Sequence, residues 1–215
     1  MKVVKPDWRI VALTEADPTL LMKHLEAMGR ICHQSEDAIT ENSYVKFLRG
    51  LIKIGHESVL EHASVTAVVI CDRGITHEIV RHRIAAYCQE STRYCNYSKG
   101  KFGNEITVVE PPFWDPKDPE YQIWYDACAQ TEAAYFELLG RGCTPQKARD
   151  VLPNSLKTQI AITMNIREWR HFFRLRCAKD AHPQMIEIAR KGLVEFCDYF
   201  PCLFEDIYKE VFCND

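Results

Sequence analysis

The chain carries almost no surplus charge of either sign. Its formal net charge is -3 over 215 residues, which excludes a protein that binds nucleic acid through its whole surface. Any basic site must be local and aimed at something small. No two of the ten cysteines stand as a CxxC pair, so the zinc-knuckle and dithiol spacings are missing. No apolar run approaches the ~20 residues needed to span a bilayer; the longest lies around Ala63–Cys71. The opening MKVVKPDWRIVAL has neither the continuous apolar stretch nor the cleavage site of a secretory leader. These absences lead to the expectation of a reducing, cytoplasmic setting, no membrane partner, and free thiols that mostly fill the core. Internal repeats and low-complexity linkers are also missing, so one domain is expected over 1–215.

What is present reads as an α/β (α+β) chain. WRIVAL (8–13) reads as a short strand. Residues 17–35 read as a helix with Asp17 as N-cap, Pro18 at the first helical position, and Leu21, Leu25, Met28 and Cys32 inward. A second helix spans 43–56, with Tyr44, Phe47, Leu48, Leu51 and Ile52 on one face and Gly55 as its stop. ASVTAVVIC (63–71), rich in β-branched residues, predicts a buried strand. Residues 73–83 predict a short helix and 106–112 a strand stopped by prolines. A long helix over 119–140 turns Trp124, Ala127, Cys128, Thr131, Tyr135 and Leu138 inward, and a short one stops before Pro153. TQIAITMN (158–165) alternates as a strand should, with Ile160, Ile162 and Met164 on one face. Helices follow at about 167–178, 184–198 and 201–212. The turn-rich stretch 96–105 reads as an exposed loop.

Three segments concentrate chemistry. Residues 165–179 hold Arg167, Arg170, Arg174, Arg176 and Lys179 against Glu168. On a helix, Trp169, Phe172, Phe173 and Arg176 share a face. A guanidinium on an apolar stripe needs a partner: a bound anion, a polarised carbonyl, an internal carboxylate, or solvent reached by snorkelling. The stretch RHRIAAYCQESTRY (81–94) sets Arg81 and Arg83 beside Gln89, Ser91, Thr92 and Arg93. Arginine suits forked contacts with phosphate, and the Gln89 amide can read a base edge as donor and acceptor. The other reading is a solvated helix end paired with Glu78 and Glu90. On a continuous helix Arg81 and Arg83 point about 160° apart, so they would not grip one phosphate together. GHESVLEH (55–62) gathers His56, Glu57, Glu61 and His62, with His77 downstream. Its spacing fits no helical HExxH metal pattern, so His56 and Ser58 read better as anchors near a ligand. Cys71, Cys88 and Cys95 read as buried, inert thiols.

Taken together these segments resemble the flavin-dependent thymidylate synthases. Arg81-His82-Arg83, seven residues and Ser91 match that family's signature. GHESVLEH resembles its segment before the central strand. ARDVLPNSLKTQIAITMNIREWRHFFRLRCAKDAH (148–182) resembles its C-terminal core. The similarity runs in order over roughly 40 to 200.

The resemblance implies a central, mostly antiparallel sheet flanked by helices, a homotetramer, and active sites shared between subunits. It implies reductive methylation of dUMP to dTMP, with 5,10-methylenetetrahydrofolate as carbon donor, NADPH as reductant and bound FAD between them, and no cysteine nucleophile. It assigns His56, Ser58, Arg81, His82, Arg83, Gln89, Asn165, Arg167 and His171 to the flavin. Glu78, Arg81, Gln89, Glu90, Ser91, Thr92, Arg93 and Arg149 go to dUMP. Arg176 is the catalytic residue, laid against the uracil. No metal is implied. The chain departs from the family at Glu78, where Gln is frequent, at Gln89 for Glu, at Cys88 for Asn and at Ala86 for Ser. Asp180 stands where a flavin-binding histidine is common. Two other readings compete: a metal-dependent nucleotide hydrolase using His56, Glu61, His62 and His77, and a non-enzymatic RNA- or nucleotide-binding module using the two basic segments.

Overall fold

The computed structural model describes residues 1–213. In chain order the strands are β1 (Lys2–Val4), β2 (Asp7–Leu13), β3 (Ser64–Asp72), β4 (Ala85–Gln89), β5 (Thr107–Val109) and β6 (Lys157–Asn165). The helices are α1 (Pro18–Ile31), α2 (Ser43–Lys53), α3 (Arg73–Ile79), α4 (Pro119–Gly140), α5 (Pro145–Ala148), α6 (Ile166–Arg176), α7 (Pro183–Tyr199) and α8 (Pro201–Phe212). A 3-10 segment, Glu57–His62, leads into β3. Four strands form one sheet in the order β2-β3-β6-β4. The Thr66 and Thr163 hydroxyls pair at 2.8 Å, and Arg73 N donates to Leu156 O while Ile166 N donates to Ala63 O. Those pairings run in opposite senses along β3 and β6, so the two strands are antiparallel, as the mostly antiparallel sheet requires.

The chain divides into two compact units. One comprises Met1–Asp7, Val69–Arg81 and Cys88–Ile160; the other comprises Trp8–Val68, His82–Tyr87 and the residues from Ala161 onward. In the first, Tyr97, Ile106, Val108, Cys128, Tyr135, Ala148 and Leu156 form the core. β1 and β5 pair there in parallel, Val3 opposite Val108. In the second, Trp8, Trp169, Phe172, Phe173, Phe196 and Phe204 are all buried. Trp8 meets Trp169 edge-on with ring centroids 5.4 Å apart. Gly192 of α7 makes that possible, since a Cβ there would sit 2.6 Å from Trp8 Cε2.

β3 and β6 alternate as expected, burying Val65, Ala67, Val69 and Cys71 on one strand and Thr158, Ile160, Ile162 and Met164 on the other. Each ends in a side chain that caps the next helix. Asp72 Oδ1 accepts from Ile75 N at 2.7 Å, and Asn165 Oδ1 accepts from Glu168 N at 2.8 Å. Asp17 caps α1 in the same way, through Leu20 N at 2.9 Å. Such caps satisfy amides that the first helical turn leaves unpaired. Gly55, at φ +74°, closes the turn after α2.

Several expectations change. α1 stops at Ile31, one residue short of Cys32, so Cys32 leaves the apolar stripe and is exposed. Ala127 is also exposed, because α4 buries fully only Cys128 and Tyr135. The helix expected over 73–83 ends at Ile79, and Ala85 already belongs to a strand. Nothing local stops it; pairing of the 85–89 segment with β6 does, with Glu90 N donating to Gln159 O at 2.9 Å. Arg81 and Arg83 are therefore not on one helix. β1 and β4 had no sequence forecast, being short and poor in alternation. All ten cysteines are free thiols, but only Cys71, Cys128, Cys177 and Cys202 are buried. Among the described residues no helix is long and apolar enough to cross a membrane.

Candidate active site

Polar side chains named by the sequence fall into two groups, one in each unit. The second unit holds the group built on α6. His82 is 3% exposed, and its Nδ1 lies 3.0 Å from Glu168 Oε1. Its Nε2 accepts from Arg176 Nε at 3.1 Å. Tyr87 OH donates to the His82 carbonyl at 2.5 Å. The imidazole packs on Phe172 at 5.0 Å and meets His171 edge-on at 5.4 Å. Burial lowers the His82 pKa, and the positive charge of Arg176 adds to this against the opposing bond from Glu168. His82 is thus a neutral ring at neutral pH. Burial pushes the Tyr87 phenol up to about 12, so it stays a donor.

Beside this chain of bonds lies a cavity of about 490 Å³, lined by Glu57, Glu61, Ile84, Asn165, Arg167, Glu168, His171 and Arg174. Arg167 pairs with Glu61 at 2.5 Å while both remain about half exposed. Arg170, in contrast, is fully buried. It grips Asp206 at 2.9 Å and 2.6 Å, donates to the Leu203 carbonyl, and lies 3.4 Å from Glu57. Arg174 shares both acids. The positive run on α6 is therefore balanced by carboxylates from distant segments, and Arg170 is a structural ion pair. Arg176 has a neutral imidazole as acceptor, a partner outside the options the sequence offered. His56 and Ser58 are exposed on either side of Glu57. Arg83 is exposed next to Ile84.

The first unit holds the other group. Gln89 Nε2 donates to Thr158 Oγ1 at 3.2 Å and to Thr76 Oγ1 at 3.4 Å. Glu90 pairs with Lys157 at 2.8 Å and accepts from Tyr97 OH at 3.3 Å. Arg149 Nη1 donates to Thr92 Oγ1 at 3.4 Å, and Arg93 Nε to Gln146 at 3.3 Å. Ser91 Oγ accepts from Arg93 N at 3.3 Å. Arg81 Nε donates to the His77 carbonyl at 3.2 Å and is exposed, and Glu78 is half-buried. Gln89 and Glu90 are thus tied to β6 through Thr158 and Lys157, and Thr92 and Arg93 to the 145–151 turns through Arg149 and Gln146.

Sequence reasoning named Glu168 and Glu57 without giving either a role in the site, and missed Lys157, Thr158 and Tyr87. Glu168 carried a weak signal, an acid in the first turn of a helix, which usually only complements the helix dipole. Among the described residues His56, Glu61 and His62 form no metal-ligating group; the cluster whose ligand atoms lie within 4.8 Å is His82, Glu168 and His171. Cys88 is exposed, contrary to expectation, because β4 is an edge strand and alternates outward there. Burial pushes the thiols of Cys177 and Cys202 up to about 12 and raises Cys71 and Cys128 as well, so these four are poor nucleophiles.

A family model described as thymidylate synthase complementing protein matches residues 19–202. The chain is 40% identical over 169 residues to a flavin-dependent thymidylate synthase of Pyrococcus furiosus, covering 78% of this chain and 68% of that one. It is 36% identical over 217 residues to a protein of the same name from Mycobacterium avium, with 90% and 81% covered. It is 34% identical over 185 residues to one from Geobacter sulfurreducens, with 83% and 78% covered. The chain belongs to the thymidylate synthase complementing protein family, that of the flavin-dependent thymidylate synthases.

Proposed function

We infer that this chain converts dUMP to dTMP as a flavin-dependent thymidylate synthase, the whole chain acting as one functional domain. The carbon comes from 5,10-methylenetetrahydrofolate and the electrons from NADPH, with FAD tightly but non-covalently bound. The enzyme works as a cytoplasmic homotetramer whose sites are completed by neighbouring subunits. It needs no metal and takes neither nucleic acid nor membrane as partner. Family membership across residues 19–202 carries the reading.

The donor set suits a flavin nucleotide. Asn165, Arg167, His171 and Arg174 surround one cavity of about 490 Å³, a size within the usual range for ligand sites, and Ile84 adds an apolar edge. The Arg167–Glu61 pair is a surface pair of the kind worth only about 0–1 kcal/mol, so a phosphate can displace it. Asn165, Arg167 and His171 would hold the flavin nucleotide, joined by His56, Ser58, Arg81, His82, Arg83 and Gln89. When bound, the flavin relays reducing equivalents from NADPH to the one-carbon unit.

Glu78, Arg81, Gln89, Glu90, Ser91, Thr92, Arg93 and Arg149 would orient dUMP, the arginines at its phosphate and the amide and hydroxyls at the ring and sugar. Arg176 is the catalytic residue: its fixed positive charge stabilises negative charge on the uracil and makes C5 nucleophilic without covalent attack at C6. Complementation of a thymidine-requiring bacterium tests the product directly. Growth without thymidine, and a purified protein that is yellow or takes up added FAD, are expected. No growth from a well-expressed, colourless protein that ignores FAD would overturn the reading.

A further inference from the structure

We propose that Glu168 is a positioning residue that aims Arg176 through His82, by fixing which nitrogen of the imidazole carries the proton. The proposal rests on Arg176 being the catalytic guanidinium. An arginine Nε always bears hydrogen and cannot accept. Arg176 Nε lies 3.1 Å from His82 Nε2, so Nε2 must present its lone pair. A neutral imidazole has one N–H and one lone pair, so the proton sits on Nδ1. That N–H points at Glu168 Oε1, 3.0 Å away. Glu168 is 9% exposed, and the Asn165 cap holds its backbone N at the start of α6, so the carboxylate reaches His82 from a fixed backbone position. The bonds run in one direction only: Arg176 to His82 to Glu168.

The alternative tautomer would set an Nε2–H against the Arg176 Nε–H and leave Nδ1 facing a carboxylate with no proton between them. Both junctions would be repulsive. Protonating His82 has the same effect at Arg176. The charged and titratable groups facing the ring are Glu168, His171 and Arg176 from α6 and the Tyr87 hydroxyl at its carbonyl. The arrangement also bears on the metal-like grouping of His82, Glu168 and His171. The single lone pair of His82 already serves Arg176, so the ring has none left for a cation.

The test uses full-length protein, wild type and two variants. In Glu168→Gln the amide oxygen still accepts from Nδ1–H, so the kcat for dTMP formation at pH 8 should stay within a few-fold of wild type. In Glu168→Leu the acceptor is gone, and kcat should fall by about 10–100-fold, the scale of one buried orienting bond, with a smaller change in KM for dUMP. The acid limb of the kcat profile should move to lower pH in Glu168→Gln, because the carboxylate no longer supports the imidazolium; a merely structural role would leave the limb in place. ¹⁵N-histidine spectra give a readout independent of turnover: His82 should be the Nδ1–H tautomer in wild type and Glu168→Gln, and mixed in Glu168→Leu. An Nε2–H tautomer in wild type, an unmoved acid limb, or full kcat in Glu168→Leu overturns the proposal. If wild type makes no dTMP, the functional reading fails, and the spectra still decide the hydrogen-bond chain. Should Glu168→Leu not fold, the Glu168→Gln limb and spectra decide it.

Discussion

Replacing Asp206 by Asn tests what holds the wall of the α6 cavity. Arg170 has no exposed surface, and two of its nitrogens reach Asp206 at 2.9 and 2.6 Å. Breaking one partner of a buried ion pair costs ~3–5 kcal/mol, because the other charge stays buried. Asp206 is 37% exposed, which screens part of that interaction. Glu57 at 3.4 Å and the Leu203 carbonyl still face the guanidinium. The expected loss is therefore about 2–3 kcal/mol. With a urea m-value of ~2 kcal/mol/M, the midpoint falls by about 1–1.5 M. Trp8 and Trp169 sit in the adjacent aromatic cluster, so intrinsic fluorescence follows the transition. The double variant Arg170→Met, Asp206→Leu removes both charges and should recover most of the loss. A midpoint shift below ~0.3 M for Asp206→Asn, or a double variant no better than the single, would refute the reasoning. Arg174 shares Asp206 and Glu57, so the same single variant should also weaken FAD retention.

Other outcomes follow from the same geometry. Arg176→Ala is expected to keep FAD bound, seen as an unchanged flavin-to-protein absorbance ratio, while dTMP formation is abolished; normal turnover would remove its assigned role. Ser91→Ala loses a substrate-orienting hydroxyl and a hydrogen bond within its own turn but no nucleophile, so product formation should remain measurable; complete inactivity at unchanged dUMP affinity would make Ser91 a nucleophile. Gly192→Ala forces a methyl to within 2.6 Å of Trp8 and should cost ~1–3 kcal/mol by overpacking, read as a lower melting temperature. Stability should fall on acidification in two stages. Burial and Arg176 depress His82 in the folded state, so its contribution is full above its ordinary 6.5 and is lost as pH drops below that, when the unfolded chain takes the proton. Burial would raise Asp206, but the bonds and charge of Arg170 outweigh it and hold the acid low; its contribution is full above the ordinary 3.8 and is lost below that. Urea midpoints measured from pH 8 to pH 3 check both stages.

Much of this protein was decided locally and could be read from residues alone. Alternation in β3 and β6, the cap Asp17 and the aromatic stripe of α6 depend on neighbours within a few positions. So do the Arg81-His82-Arg83 and Ser91 spacing and the three ordered segments that pointed to the family. Tertiary structure decided the rest. Position on a basic helix did not say that Arg170 would be buried against Asp206 while Arg176 met an imidazole, because that depends on what α8, the Glu57–His62 turn and the segment after α3 bring up to it. The helix over 73–79 stopped early only because the next segment joined the sheet. His82 and Glu168 are 86 residues apart, and His82 and Arg176 are 94 apart. Helical and strand periods extend over a handful of residues, whereas a proton's place on one imidazole is set by which atoms the fold brings within 3 Å of it.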